Sequence, residues 1–227
     1  MVYKQKLILS DDGSHTIELV GMNEQYHSTH GAIQESNHVY IKNGLQSVLA
    51  DRNEIHILEV GMGTGLNVLL TYKFAKENNI KVFYHAIEAY PINSILWEEL
   101  NYVQQIGDES LTQVFDDIHT SNWDEEIKLS DRFVLLKKKE RIQESVLGEN
   151  QFDVVYFDAF NPDLEPDIWT VEVFENIYKS MRSNSVLSTY STKGIIKRAL
   201  KSCGFLIEKK PGPPGKREIL NAAKKVI

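Results

Sequence analysis

Ile55-His56-Ile57-Leu58-Glu59-Val60-Gly61-Met62-Gly63-Thr64-Gly65-Leu66-Asn67 is the stretch on which the reading of the fold turns. Six residues of strand character run into three glycines, and Leu66, Leu69, Leu70 and Phe74 follow at helical spacing. Glycines allow a sharp turn and close approach of the backbone to a ligand, while the helix start presents free N–H groups. Outward from this turn, the next strand is Val82–Ile87. A helix over Ile92, Ile95, Leu96, Leu100 and Val103 is expected after it, with Pro91 in its first turn. Strand character returns at Phe133–Leu136 and Phe152–Phe157, and Val171, Phe174, Tyr178 and Met181 mark a further helix. Val186–Tyr190 reads as a strand, with Ser191 as the cap of a helix that runs to Cys203 and ends at Gly204. Phe205–Lys209 and Glu218–Ala222 flank the loop PGPPGKR, a connection short enough only for antiparallel neighbours. The alternation predicts an α/β protein whose Rossmann-like sheet is mostly parallel, covered on both faces and closed by a C-terminal antiparallel hairpin. Residues 1–50 are expected to form an N-terminal hairpin, turning at Asp11-Asp12-Gly13, and a segment covering the pocket. Residues 51–227 then form the main domain, with a polar, helical insertion near 104–131.

Composition narrows the class. Of 227 residues, 42% are hydrophobic and 25% charged, as in ordinary globular proteins. No apolar run approaches the roughly 20 residues of a membrane helix, so no membrane partner is expected. The first residues lack a signal-peptide core. The single cysteine, Cys203, excludes an internal disulfide, suits a cytoplasmic location and reads as a buried structural thiol. No Cys/His spacing suggests a metal site. The net charge of −7 is unevenly spread: from Lys193 onward ten Lys/Arg face two Glu, whereas the preceding residues hold 15 Lys/Arg and 30 Asp/Glu. A basic tail on an acidic body fits one face for a polyanion, or else a merely solvated helix face.

Three features carry chemistry. The pattern at 61–65 is G-x-G-x-G, and Leu66 stands where a dinucleotide fingerprint would need its third glycine. That suits a methionine-bearing nucleoside without a pyrophosphate, with the Glu59 carboxylate facing its ammonium. Glu88 ends the next strand 23 positions after Gly65, near the spacing at which an acid accepts ribose hydroxyls. Asp158 leaves the apolar strand 152–157 at the carboxyl edge of the sheet, followed by Ala159-Phe160-Asn161-Pro162. An acid there resembles the amine-methylating motif of many methyltransferases, since it can accept an N–H, orient the amine and take its proton.

In this order the motifs resemble the tRNA 5-methylaminomethyl-2-thiouridine methyltransferases. The resemblance spans Gly31-Ala32-Ile33-Gln34-Glu35-Ser36-Asn37-His38-Val39-Tyr40, LEVGMGTGLN, Phe157–Pro162 and Glu165-Pro166-Asp167-Ile168-Trp169-Thr170. It ends with Tyr190-Ser191-Thr192-Lys193-Gly194 and PGPPGKREIL. The glycine turn is generic, but the E-S-x-H-V, D-A-F-x-P and G-K-R-E segments together are specific.

The resemblance implies a free-standing methyltransferase that uses S-adenosylmethionine to methylate the exocyclic amine of 5-aminomethyl-2-thiouridine at the tRNA wobble position. By position, Glu59, Gly61, Gly63, Gly65, Glu88 and Asp158 would touch the cofactor, and Asp158 would also act on the amine. The family's Gly-Asp after the strand at 133–138 is missing, and Glu140 is expected to substitute at the adenine. Glu35, Ser36 and His38 are expected to line the acceptor site. Lys193, Arg198, Lys216 and Arg217 are expected to track tRNA phosphates. Trp97, Trp123 and Trp169 read as packing residues, the last close enough to Asp158 to border the pocket. The rival readings are an aminopropyltransferase of the spermidine-synthase kind and a methyltransferase for another amine. Oligomeric state is not legible.

Overall fold

The computed structural model describes residues 4–22, 24–50 and 52–225. Near the N-terminus β1 (Gln5–Leu9), β2 (His15–Leu19) and β3 (Glu24–Gln25) form a small antiparallel sheet. α1 (Ala32–Ser36) continues into a π-helical turn, Asn37–Lys42. The central sheet then starts with β4 (Glu54–Val60), α2 (Leu66–Asn78) and β5 (Lys81–Ile87). Two short helices follow, α3 (Ser94–Trp97) and α4 (Tyr102–Ile106), then α5 (Thr112–Thr120), β6 (Glu126–Ser130) and β7 (Phe133–Lys138). The chain ends with β8 (Phe152–Phe157), α6 (Val171–Ser180), β9 (Met181–Thr189), α7 (Gly194–Ser202), β10 (Leu206–Pro211) and β11 (Glu218–Lys224). The eight strands lie in the order β10-β11-β9-β8-β4-β5-β7-β6. The five from β9 to β7 are parallel, and β11, β10 and β6 are antiparallel additions.

Strand periodicity divides the core. Along β4, Ile55 and Ile57 pack on the side of α2 and α5, while Leu58 and Val60 pack on the side of α6 and α7. Val154 and Tyr156 of β8 likewise face one way, Val155 and Phe157 the other. Both faces are covered, as a parallel sheet requires. Among the described residues no helix is long and apolar enough to cross a membrane.

Four local expectations are corrected. The helix over 92–103 is broken into α3 and α4, because Asn101 turns toward the hairpin. It accepts from His15 N at 2.8 Å and donates to the Gly13 carbonyl at 2.9 Å. The polar insertion is helical only in part: β6 forms an edge strand on β7, and its half-buried Ile127 and Leu129 pack on the core. Ser191 caps nothing, since α7 starts after Lys193 and the Ser191 N–H donates to Thr189 Oγ1. Cys203 is half-buried rather than enclosed.

Asp153 is the main buried ion-pair centre behind the sheet. At 3% exposure it accepts from Arg52 Nη1 at 2.7 Å, Arg182 Nη1 at 2.8 Å and the His56 N–H at 2.9 Å. Both arginines reach solvent, whereas the half-buried His56 has Asp153 as the acceptor for its amide. Asp153→Ala should therefore cost about 1–3 kcal/mol, mainly from the amide left without its acceptor, and denaturant unfolding checks this.

Candidate active site

The carboxyl ends of β4, β5 and β8 open onto one cavity of about 430 Å³, where open α/β sheets generally place their ligands. Its floor is the turn after β4. Gly61 has φ +87°, and a Cβ there would lie 2.7 Å from the Asp158 carbonyl oxygen. Only glycine lets the two strand ends come so close. The Gly63 N–H donates to Glu88 Oε2 at 2.9 Å, and the Tyr90 N–H donates to Oε1 at 2.8 Å. Glu88 lines the cavity, and each carboxylate oxygen has the capacity to accept more than one hydrogen bond. Burial raises the Glu88 carboxyl above its usual range, against the pull of these amides. Beyond Glu88 the wall is apolar, with Ile87, Ala89 and Ile142, and Glu140 stands beside it, accepting from Ser145 Oγ at 2.7 Å.

At the other end stands Asp158, held by two side chains. Tyr40 Oη donates to Oδ1 at 2.6 Å, and Asn67 Nδ2 donates to Oδ2 at 2.8 Å. Tyr40 is buried and packed on the ring of Tyr156, and Asn67 is fixed in the first turn of α2. Burial lifts the Asp158 carboxyl to about 7, with the nearby Glu35 adding to the rise and the Tyr40 and Asn67 hydrogen bonds opposing it. A carboxylate that exchanges its proton near neutrality is suited to accept one from an amine.

Around Asp158, the segment 24–30 covers the cavity. His27 is buried and its Nε2 lies 2.8 Å from Thr64 Oγ1, tying this segment to the glycine turn. Burial pushes the His27 imidazole down to about 4, so it stays neutral. Tyr26 and Phe160 pack edge to face at 5.0 Å. Tyr190 donates its hydroxyl to the Ala159 carbonyl at 2.9 Å and presents its ring to the cavity.

The residues singled out in the sequence separate into two groups. Gly61, Gly63, Glu88, Glu140, Asp158, Glu35 and Lys216 meet at the cavity. Glu59 does not line it. The side chain is fully buried below the floor, accepts from Asn67 Nδ2 at 2.9 Å, and burial raises its carboxyl well above the usual range. Asn67 thus bridges the carboxyl groups of Glu59 and Asp158. Gly65 lies under Ile118 and His119 of α5, away from the cavity. Ser36 is buried within α1, and His38 Nε2 pairs with the Pro211 carbonyl at 2.8 Å. Trp169 packs behind the loop after β8, its Nε1 donating to the Phe160 carbonyl at 2.8 Å.

Lys216, expected at tRNA phosphates, is engaged inside the cavity in this structure. Its ammonium turns inward, forms an ion pair with Glu35 and lies 4.1 Å from the centre of the Tyr190 ring. Lys193 is exposed and pairs with Asp163 at 2.5 Å, while Arg198 and Arg217 are exposed. Tyr40, Asn67 and Tyr190 have no role legible in the sequence, although each lies in one of its family-like motifs. Their types and motif membership are visible there, but not their convergence.

A family model described as S-adenosyl-L-methionine-dependent methyltransferase matches residues 100–225, more than half of the chain. The bifunctional protein MnmC of tRNA 5-methylaminomethyl-2-thiouridine biosynthesis from Cupriavidus metallidurans is 29% identical over 93% of the chain. The protein of that name from Leptospira interrogans is 30% identical over 86%. The chain spans about a third of the length of these relatives, 33% and 32%. Among solved structures, MNMC2 from Aquifex aeolicus superposes with a TM-score of 0.83 at 22% identity, covering all of this chain and 72% of its own. Spermidine synthase from Thermotoga maritima follows at 0.62 and 15%, covering all of this chain and 70% of its own. These two likenesses establish the fold: a Rossmann-like sheet with an antiparallel C-terminal hairpin. With the family match spanning both the strand that delivers Asp158 and the closing hairpin, the chain belongs to the S-adenosyl-L-methionine-dependent methyltransferases.

Proposed function

We propose that this chain methylates the exocyclic amine of 5-aminomethyl-2-thiouridine at the wobble position of tRNA, in the cytoplasm. The observation that carries the reading is Asp158, clamped by Tyr40 and Asn67 at one end of a cavity whose other end is Glu88. The names of the curated relatives supply the substrate class.

The residues present fit S-adenosylmethionine. The backbone at Gly61 and Gly63 lies open to the cavity, Glu88 keeps acceptor capacity for two ribose hydroxyls, and Ile87, Ala89 and Ile142 suit a flat base with Glu140 at its edge. When bound, the cofactor supplies an electrophilic methyl group. Glu59 serves as a positioning residue, holding Asn67 and through it Asp158. An acceptor amine arrives mostly as an ammonium and must lose a proton before its lone pair can attack. Asp158 accepts one N–H, aims the nitrogen, and takes the proton. The surrounding carboxylates Glu24, Glu35 and Glu165 favour arrival of the cation.

The pH dependence has a definite sign. Asp158 must be ionised to act, so kcat/KM should rise with pH through about 7. The Tyr40 hydrogen bond stabilises the charged form. Tyr40→Phe should move this acidic limb upward by about a unit or more, the scale of one hydrogen bond to a charged group. An unmoved limb would show that another group sets it.

The tRNA face we propose is the exposed side of α7 with Arg217. Much of the basic tail is engaged locally: Lys193, Lys209, Lys210 and Lys216 are in ion pairs, and Lys224 donates to the Tyr178 and Met181 carbonyls. Lys197, Arg198, Lys201, Arg217 and Lys225 remain. Arg198→Ala/Arg217→Ala should lower the salt slope of tRNA binding by about 0.7–1 for each phosphate no longer neutralised, and leave cofactor affinity unchanged. An unaltered slope would place the RNA elsewhere.

The function itself is tested with labelled S-adenosylmethionine and tRNA from cells lacking this protein. After digestion to nucleosides, label should appear in 5-methylaminomethyl-2-thiouridine. Label on a base ring atom or a ribose would replace this reading with another RNA methylation. Aminopropyl transfer is the less supported alternative, since the likeness to spermidine synthase extends only to the fold.

A further inference from the structure

Lys216 sits on the tight loop between β10 and β11, closed by the Gly212 N–H to the Arg217 carbonyl at 3.1 Å and the Lys216 N–H to the Pro213 carbonyl at 3.0 Å. The loop is pressed onto the segment over the cavity: a Cβ on Gly215 would lie 1.9 Å from His30 Cδ2. From there the lysine reaches inward. Its ammonium meets Glu35 Oε1 and the Tyr190 ring face, and the side chain keeps 29% exposure. Glu35 is at 8%, with its other oxygen accepting from the Ser28 N–H at 2.7 Å. A carboxylate this buried holds a cation on its free oxygen, and an aromatic face beside it favours the same charge. Asp158 lines the same cavity.

The group that Lys216 brings to this position is a primary ammonium on a methylene. That is also the chemical form of an aminomethyl acceptor. We infer that Glu35 and the face of Tyr190 form the subsite for the acceptor's alkylammonium, and that Lys216 fills it as an internal stand-in which the acceptor displaces. The inference rests on the reading of the acceptor as an alkylamine. It adds the group that recognises the cation, distinct from Asp158, which handles the proton. It also explains a lysine amid carboxylates that would otherwise only oppose a cationic substrate. Withdrawal of Lys216 leaves Glu35 needing a cation, so amines exchange readily while uncharged groups do not.

The test uses propylammonium, which has the ammonium and nothing of a nucleoside, titrated calorimetrically into the full chain with S-adenosylhomocysteine present. Lys216→Met keeps most of the length of the unbranched side chain and removes its charge. It should bind the probe about 5-fold or more tighter than wild type, because an internal competitor is gone. Glu35→Gln should bind about 10-fold or more weaker, having lost the charged acceptor. Equal or weaker binding by Lys216→Met, or no binding by any form, overturns the inference. Should Lys216→Met fail to fold, the wild type gives the answer by NMR of its labelled lysine ammonium groups. The Lys216 signal should shift as the probe saturates, and a fixed signal overturns the inference. Propylammonium reports on the subsite whatever the acceptor is. Failure of tRNA methylation with this exchange intact would sink the nucleoside assignment alone.

Discussion

Asp158→Asn should leave S-adenosylmethionine affinity within a few fold of wild type and lower methyl transfer about 10²-fold or more, the scale of positioned acid–base help. The substitution keeps the shape and one acceptor oxygen for Tyr40. Asn67 then has to turn its own oxygen toward the new amide, which disturbs its bond to Glu59 but not the floor at Gly61–Gly63. What disappears is the charge that takes the amine's proton. Single-turnover transfer from labelled cofactor, with cofactor binding measured separately, checks both halves. Near-normal turnover would mean that the amine arrives neutral and is aligned by other groups. Asp158 also links activity to stability. Its folded-state carboxyl sits near 7, above the ordinary 3.8, so its protonated form stabilises the fold at low pH. That contribution fades as pH rises from about 4 through 7, the range in which the residue becomes competent.

Glu88→Ala should weaken S-adenosylmethionine binding by about 1.5–3 kcal/mol, or roughly 10- to 150-fold, since hydrogen bonds to a charged group are worth that much. The Gly63 and Tyr90 amides would also lose their acceptor, so the turn itself should loosen. Calorimetric titration reads the affinity directly. An unchanged value would remove the ribose assignment and detach the glycine turn from the cofactor.

Much of this architecture was legible in the sequence because periodicity and punctuation agreed. The strand at 55–60, its glycine turn, the acid at 88 and the strand delivering Asp158 all lie where apolar runs meet glycine or acid. The short loop PGPPGKR permits only an antiparallel hairpin, and β10 and β11 form one. β6 was hidden because EIKLS is an edge strand with an acidic, lysine-bearing outer side, close in composition to the polar stretch around it. The break before Asn101 was hidden too, since its cause is a hydrogen bond to a hairpin 86 residues away. The same distance effect concealed the clamp on Asp158: Tyr40 is 118 residues upstream. Glu59 and Lys216 lie elsewhere than their charge suggests, for one shared reason. Charge invites a reading toward ligand or solvent, whereas packing turned one carboxylate under the floor and one ammonium into the cavity.

If this cavity methylates an alkylamine on a tRNA base, as proposed, an aminomethyl group decides which RNA is a substrate. The most direct measurement gives the protein labelled S-adenosylmethionine and two synthetic anticodon stem-loops, differing only in an aminomethyl group at C5 of the wobble 2-thiouridine. Stoichiometric label is expected in the aminomethyl loop and none in the other. Comparable label in both loops, or none in either, would contradict the proposed function.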